Sequence, residues 1–113
     1  MLVAIPQFDP QTGLLPPGEH VASWDEIELR FGWNPHRRRL LDGLADGLGM
    51  LAEAGCSQVW LNGSFVTQKE EPGDFDCVWS LDGVNRSVLR EIAPELLDFA
   101  DRRAAQKQRF GGE

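Results

Sequence analysis

The chain has 113 residues and a formal net charge of −7, which allows one domain with one core and excludes broad, sequence-independent nucleic-acid binding, since that needs a basic footprint. No apolar run approaches the ~20 residues that span a bilayer. The start Met1 to Pro6 lacks the basic n-region of a signal peptide, and Cys56 and Cys77 form neither a disulfide framework nor a zinc pattern. These features predict a cytoplasmic protein with both thiols reduced and packed as small hydrophobes. Arg37-Arg38-Arg39 and Arg102-Arg103 are candidates for a local basic patch.

Residues 1–22 read as an irregular leader. Pro6, Pro10, Pro16 and Pro17, with Gly13 and Gly18, break any helix. Leu2, Val3, Ile5, Phe8, Leu14 and Leu15 predict that the leader packs on the domain formed by residues 23–113. Ser23-Trp24-Asp25-Glu26 has the form of a capping box and opens a short helix to about Phe31, with Ile27 and Phe31 on one face. Gly32 ends it. Asn34 as cap and Pro35 at the first position start a second helix, running to about Ala54. Leu41, Leu44, Leu48 and Leu51 make its core stripe. Gly43, Gly47 and Gly49 weaken it by about 1 kcal/mol each relative to alanine, and predict close approach by another element. Gly55 is read as the C-cap. Arg37-Arg38-Arg39, unfavourable beside the helix N-terminus, read as a solvent face, with contact to a phosphate or an acidic partner as the alternative.

Ser57 to Asn62 is the first expected strand, with Val59 and Leu61 on one face and Trp60 and Asn62 on the other. Asp74 to Ser80 is the second, with Phe75, Cys77 and Trp79 buried, and Leu81-Asp82-Gly83 is a turn. Asn85 caps a helix over 86–92. Pro94 breaks it, and a further helix over 94–109 is expected to bury Leu96, Leu97, Ala100 and Ala104. The fold class is α/β: a small mixed sheet with helices packed on it. His20 and His36 belong to no ligand cluster and read as solvated or capping. The four tryptophans read as core, with Trp24 and Trp33 as a possible interface.

Alternation along a strand puts Asp74 and Asp76 on one face. Adjacent carboxylates repel unless a cation or proton lies between them. A hard divalent cation with oxygen ligands, Mg²⁺ or else Mn²⁺, suits them. The plain alternative is a pair of exposed acids at a strand end. Gly63 lets a backbone N–H approach a ligand, and Ser64 adds a hydroxyl. Alone, they would read as a turn. Lys69 and Thr67 lie between the two motifs. Lys69 could neutralise a phosphate or stand solvated beside Glu70 and Glu71, and Thr67 is as open.

Gly63-Ser64 followed after nine residues by Asp74-Phe75-Asp76 resembles the signature of the nucleotidyltransferase superfamily that contains DNA polymerase beta. Ile5-Pro6-Gln7-Phe8-Asp9, Leu15-Pro16-Pro17-Gly18-Glu19-His20, Arg30-Phe31-Gly32 and Gly63-Ser64-Phe65-Val66-Thr67 are similar to a small nucleotidyltransferase-like family of bacteria and their phages. The resemblance implies a minimal nucleotidyltransferase-like fold. Asp74 and Asp76 would be catalytic and would bind Mg²⁺, while Gly63 and Ser64 would hold the triphosphate. The implied reaction is transfer of a nucleoside monophosphate from a nucleoside triphosphate to a protein or RNA hydroxyl. It also implies toxin–antitoxin or phage-defence settings, and with them a protein partner. The superfamily pattern has a third acid on a later strand. The chain is expected to lack that strand, and Glu113 is the only acid left for the position, at a terminus where residues are commonly mobile. The alternative function is a non-catalytic binding or antitoxin-like module that keeps the fold and uses its acidic surface.

Overall fold

The Ser23 side chain accepts a hydrogen bond from the Glu26 N–H, and the Glu26 carboxylate accepts one from the Ser23 N–H, each at 3.2 Å. This reciprocal cap opens α1, Trp24–Phe31, in a computed structural model that describes residues 5–113. The expected packing of Leu2 and Val3 lies outside the described residues. Asn34 accepts from the Arg37 N–H at 2.8 Å and starts α2, Pro35–Glu53, with Pro35 in the first turn. Leu41, Leu44 and Leu51 of the expected stripe are buried, Leu48 packs at its margin, and Leu40 joins them. Ala54 is the C-cap rather than Gly55. Gly55 follows at φ +96°, where a side chain would be strained.

Residues 5–22 form no helix or strand. Ile5 is buried in the core, and Phe8 and Leu15 pack against it, whereas Leu14 is exposed. The leader is also tied to the loop after the first strand, because the Gln68 N–H donates to the Gly13 carbonyl at 2.9 Å.

β1, Val59–Asn62, and β2, Asp76–Trp79, are antiparallel neighbours, shorter than the expected spans. Val59 lies opposite Trp79, and Asn62 opposite Asp76. Phe75 is buried, and Val59, Leu61, Cys77 and Trp79 pack against the core. Val78, paired with Trp60, is exposed on the other face.

Asn85 accepts from the Ser87 and Val88 N–H groups and caps α3, Arg86–Ile92. Pro94 ends this helix as expected. The chain makes a 3₁₀ turn at Pro94–Leu97 and only then enters α4, Ala100–Phe110. Leu96 is buried, but Ala100 and Ala104 are exposed, which corrects the expected buried face. Asp101, Arg102 and Arg103 have left-handed φ values of 51°, 54° and 60°. That turn resets the helix phase, so the residues α4 buries are Gln106 and Phe110.

The end of α4 is seated by glycines. The Phe110 carbonyl lies where a Gly43 side chain would be, and the Phe110 ring covers Gly47. Gly49 has nothing within 4 Å and takes no part in the close approach. Gly111 reverses the chain at φ +85°. Gly112 then bridges to Phe75 in parallel. Its missing side chain matters, since a Cβ there would lie 2.4 Å from the Phe75 carbonyl oxygen. Among the described residues the result is α/β: four helices on a small sheet, antiparallel between β1 and β2 and parallel where Gly112 joins. Among the described residues, no helix is long and apolar enough to cross a membrane.

Candidate metal and phosphate site

Asp74, Asp76 and Glu113 meet at the start of β2. One carboxylate oxygen from each lies within 4.8 Å of the others. Asp76 is delivered by the strand and Asp74 by the residues leading into it. Glu113 is held by its own backbone: its N–H donates to the Phe75 carbonyl at 3.1 Å, and its carbonyl accepts from the Cys77 N–H at 2.6 Å. A terminal position predicts a mobile Glu113. Two strand-type hydrogen bonds fix it instead, and the glycines at 111 and 112 let the chain reach them. Burial first, then the charges of Asp74 and Glu113 and hydrogen bonding with Glu113, push the Asp76 carboxyl above its ordinary range, against the pull of Lys107. A site that raises carboxyl proton affinity in this way favours a cation, and three hard oxygen donors suit Mg²⁺ or Mn²⁺.

Gly63 follows β1 at φ +79°, ψ −164°, a conformation open essentially only to glycine. A Cβ on it would lie 2.3 Å from the Asp76 Oδ2. Glycine therefore lets the backbone at the end of β1 lie against the acid cluster. Ser64 begins a 3₁₀ turn at Ser64–Val66. Thr67 faces the loop itself: its hydroxyl donates to the Ser64 carbonyl at 2.7 Å and accepts from the Lys69 N–H at 3.2 Å. Lys69 is exposed, and its carbonyl accepts two bonds from the Arg37 guanidinium. Gly63 and Asp76 are thus in contact, while Thr67 and the Lys69 backbone shape the loop.

Arg37 departs from the expectation of a solvent face. It is fully buried, not on a solvent face with Arg38 and Arg39. Its guanidinium donates to the carbonyls of Phe31 at 3.1 Å, Phe65 at 2.7 Å, Thr67 at 2.7 Å and Lys69 at 2.7 Å. It also lies 3.7 Å from the centre of the Trp33 ring. A planar fork with five N–H donors can satisfy so many carbonyls where an ammonium cannot. Burial lowers its pKa to about 10, partly offset by Glu70, so it stays charged at neutral pH. The side chain of Asn34 donates to the Glu70 carbonyl at 2.7 Å, and the His36 ring pairs with the Pro72 carbonyl. Together these contacts fasten the loop between the Gly-Ser and Asp-x-Asp motifs to the start of α2. One signal was present in the sequence: an arginine one turn into a helix is poorly placed for the dipole unless its charge is used elsewhere.

Among the described residues, two cations border the acids. The Lys107 Nζ lies 4.0 Å from an oxygen of Asp74 and 4.0 Å from one of Glu113. Arg103 lies 3.8 Å from Glu113. Burial, with smaller effects from Asp76, Cys56 and Glu113, pushes the Cys77 thiol up to about 11. It is a packed thiol and no nucleophile at neutral pH. Cys56 is also free, its thiol turned to the carbonyls of Gln58 and Ser80. His20 pairs with the Pro16 carbonyl, so both histidines bond to backbone oxygens. Trp24, Trp33 and Trp79 pack on the core.

Residues 6–113 match the model of a protein family described as a family of unknown function (DUF6932). No curated protein and no solved structure matches the chain.

Proposed function

The chain belongs to this family of unknown function, and we propose that it transfers a nucleoside monophosphate from a nucleoside triphosphate to a hydroxyl group, using Mg²⁺. The observation that carries the reading is the meeting of three carboxylates beside Gly63-Ser64. The resemblance of Gly63-Ser64 and Asp74-Phe75-Asp76 to the nucleotidyltransferase signature supports it, as does Glu113 in the role of a third acid.

In this reading Asp74, Asp76 and Glu113 hold the metal. A bound divalent cation supplies positive charge to phosphate oxygens in a place where fixed charge is effective. The backbone at Gly63 and the Ser64 hydroxyl receive phosphate oxygens. Arg37 positions that loop from beneath, without touching substrate. A hydroxyl oxygen of a protein or RNA acceptor bonds to the α-phosphorus. The bond from that phosphorus to the β-bridging oxygen breaks, pyrophosphate leaves with the electron pair, and the hydroxyl proton passes to water. The setting is the cytoplasm, where nucleoside triphosphates are abundant, and a protein partner in a toxin–antitoxin or phage-defence system is the favoured acceptor class.

Two measurements test this. Titration calorimetry with Mn²⁺ and a nucleoside triphosphate should show binding that Asp76→Ala abolishes. Incubation with radiolabelled triphosphates, Mg²⁺ and a cell lysate should label an acceptor, and Asp74→Ala should not. Metal-independent binding that survives Asp76→Ala, with no labelling, would favour the non-catalytic module that uses its acidic surface.

A further inference from the structure

We propose that Lys107 is the resident counter-ion of the acid cluster, that it yields this place to the metal, and that it then contacts the polyphosphate of the substrate. The inference rests on the metal reading above. Among the described residues, Lys107 is the one whose cationic group lies between two of the three acids, 4.0 Å from Asp74 and 4.0 Å from Glu113. Both separations exceed a hydrogen bond, so the ammonium is held by charge and not by a directed contact. The side chain is 41% exposed. Its backbone is not free. Lys107 accepts the Gly111 N–H at 2.8 Å, and the neighbouring Gln106 and Phe110 are buried. An exposed cation on a fixed stem therefore stands at the edge of the acid cluster.

An ammonium and a divalent cation cannot both sit among the same oxygens without strong repulsion. When the carboxylates are taken by the metal, Lys107 loses its partners. The nearest new anion would be the phosphate chain on the Gly63-Ser64 side, since Gly63 touches Asp76 directly. Arg103, 3.8 Å from Glu113 and half-exposed, is a second cation of the same kind at the rim. A lysine serves such an exchange well because it acts as a point charge on a flexible stem.

The two halves of this role predict opposite effects of one substitution. Lys107→Ala should bind Mn²⁺ alone about two- to fivefold more tightly than the wild type, the scale of an exposed ion pair. With Mn²⁺ saturating, it should bind inorganic tripolyphosphate about tenfold more weakly, the scale of one lost charged contact. Lys107→Arg should restore both values toward the wild type. Calorimetry on the whole chain reads both constants, and an unchanged thermal transition confirms that the variant is folded. Unchanged or weaker Mn²⁺ binding in Lys107→Ala overturns the counter-ion role, and unchanged tripolyphosphate binding overturns the substrate contact. Mn²⁺ binding seen only after the substitution would support the competition strongly. No Mn²⁺ binding by wild type or variant would overturn the metal reading itself, and the inference with it.

Discussion

The carbonyl oxygen of Phe110 lies so close to Gly43 that a side-chain carbon there would be 1.7 Å from it. This contact sets the depth at which α4 rests on α2, and α4 in turn delivers Gly111, Gly112 and Glu113. Gly43→Ala is therefore expected to push α4 outward and to destabilise the protein by about 1–3 kcal/mol through overpacking. It should also weaken Mn²⁺ binding, although Gly43 is no ligand. Gly49→Ala, with open space around the new methyl, should instead stabilise the protein by about 1 kcal/mol. Urea denaturation and calorimetry on the two variants check both halves.

Gly63→Ala tests the backbone at the end of β1. Its conformation is costly for alanine by about 1–3 kcal/mol, and the new methyl collides with Asp76. Lower stability and lost Mn²⁺ affinity are expected together. Ser64→Ala should keep the metal and lose affinity for tripolyphosphate. Equal metal binding by Gly63→Ala and wild type would show that Asp76 does not depend on this contact.

Arg37→Met would leave the carbonyls of Phe31, Phe65, Thr67 and Lys69 without the donor they share. At about 1 kcal/mol or more for each buried orphan, the loss reaches several kcal/mol, a large part of a small domain's stability. Arg37→Lys should recover little, because three donors on a point cannot replace a planar fork. A loss below 1 kcal/mol in denaturant, for either variant, would contradict the proposed clamp.

Asp76 gives a pH dependence. Its carboxyl is raised above the ordinary aspartate range, so the folded state holds its proton more tightly than the unfolded state. The associated stability is fully present below the unfolded pKa and is lost as pH rises through the higher folded pKa. In the absence of metal, Asp76→Asn should cancel this loss. At neutral pH it should be more stable than wild type by about 0.2–1 kcal/mol, the scale of like charges placed side by side on a sheet. The gap between the two proteins should close as pH falls through the carboxylate range. Thermal melts in chelator from pH 3 to pH 7 read the difference, and a constant gap would contradict the assignment.

The helices were legible because their signals are local. Ser23, Asn34 and Asn85 each cap the helix that their position announces, and Pro94 ends one. The strand pair was legible from alternation, and the close approach at Gly43 and Gly47 from the cost of glycine inside a helix. Arg37 was not, because nothing local tells a buried fork from a solvated one; its acceptors come from residues 31 and 65–69. The exposure of Ala100 and Ala104 was hidden by a left-handed turn made of Asp101, Arg102 and Arg103, which are ordinary helix residues by propensity. Glu113 was recognised as the remaining acid, but its placement depends on pairing with a strand more than thirty residues away. Such a contact has no periodic trace in the chain.

The clamp at Arg37 also bears on how the domain opens. A surface loop usually frays at little free-energy cost, and its amides exchange with solvent long before the core does. The loop from Phe65 to Lys69 has its carbonyls tied to a buried guanidinium in α2 and its Gln68 amide tied to the leader at Gly13. It cannot lift away without stranding a buried cation. Its amides should therefore exchange with deuterium at rates close to those of the α2 interior, as one cooperative unit with that helix, while the Gly73 end of the same connection exchanges freely. The loop between the Gly63-Ser64 and Asp74-Phe75-Asp76 motifs would then be rigid before any ligand arrives, so that little ordering entropy would remain to be lost on binding.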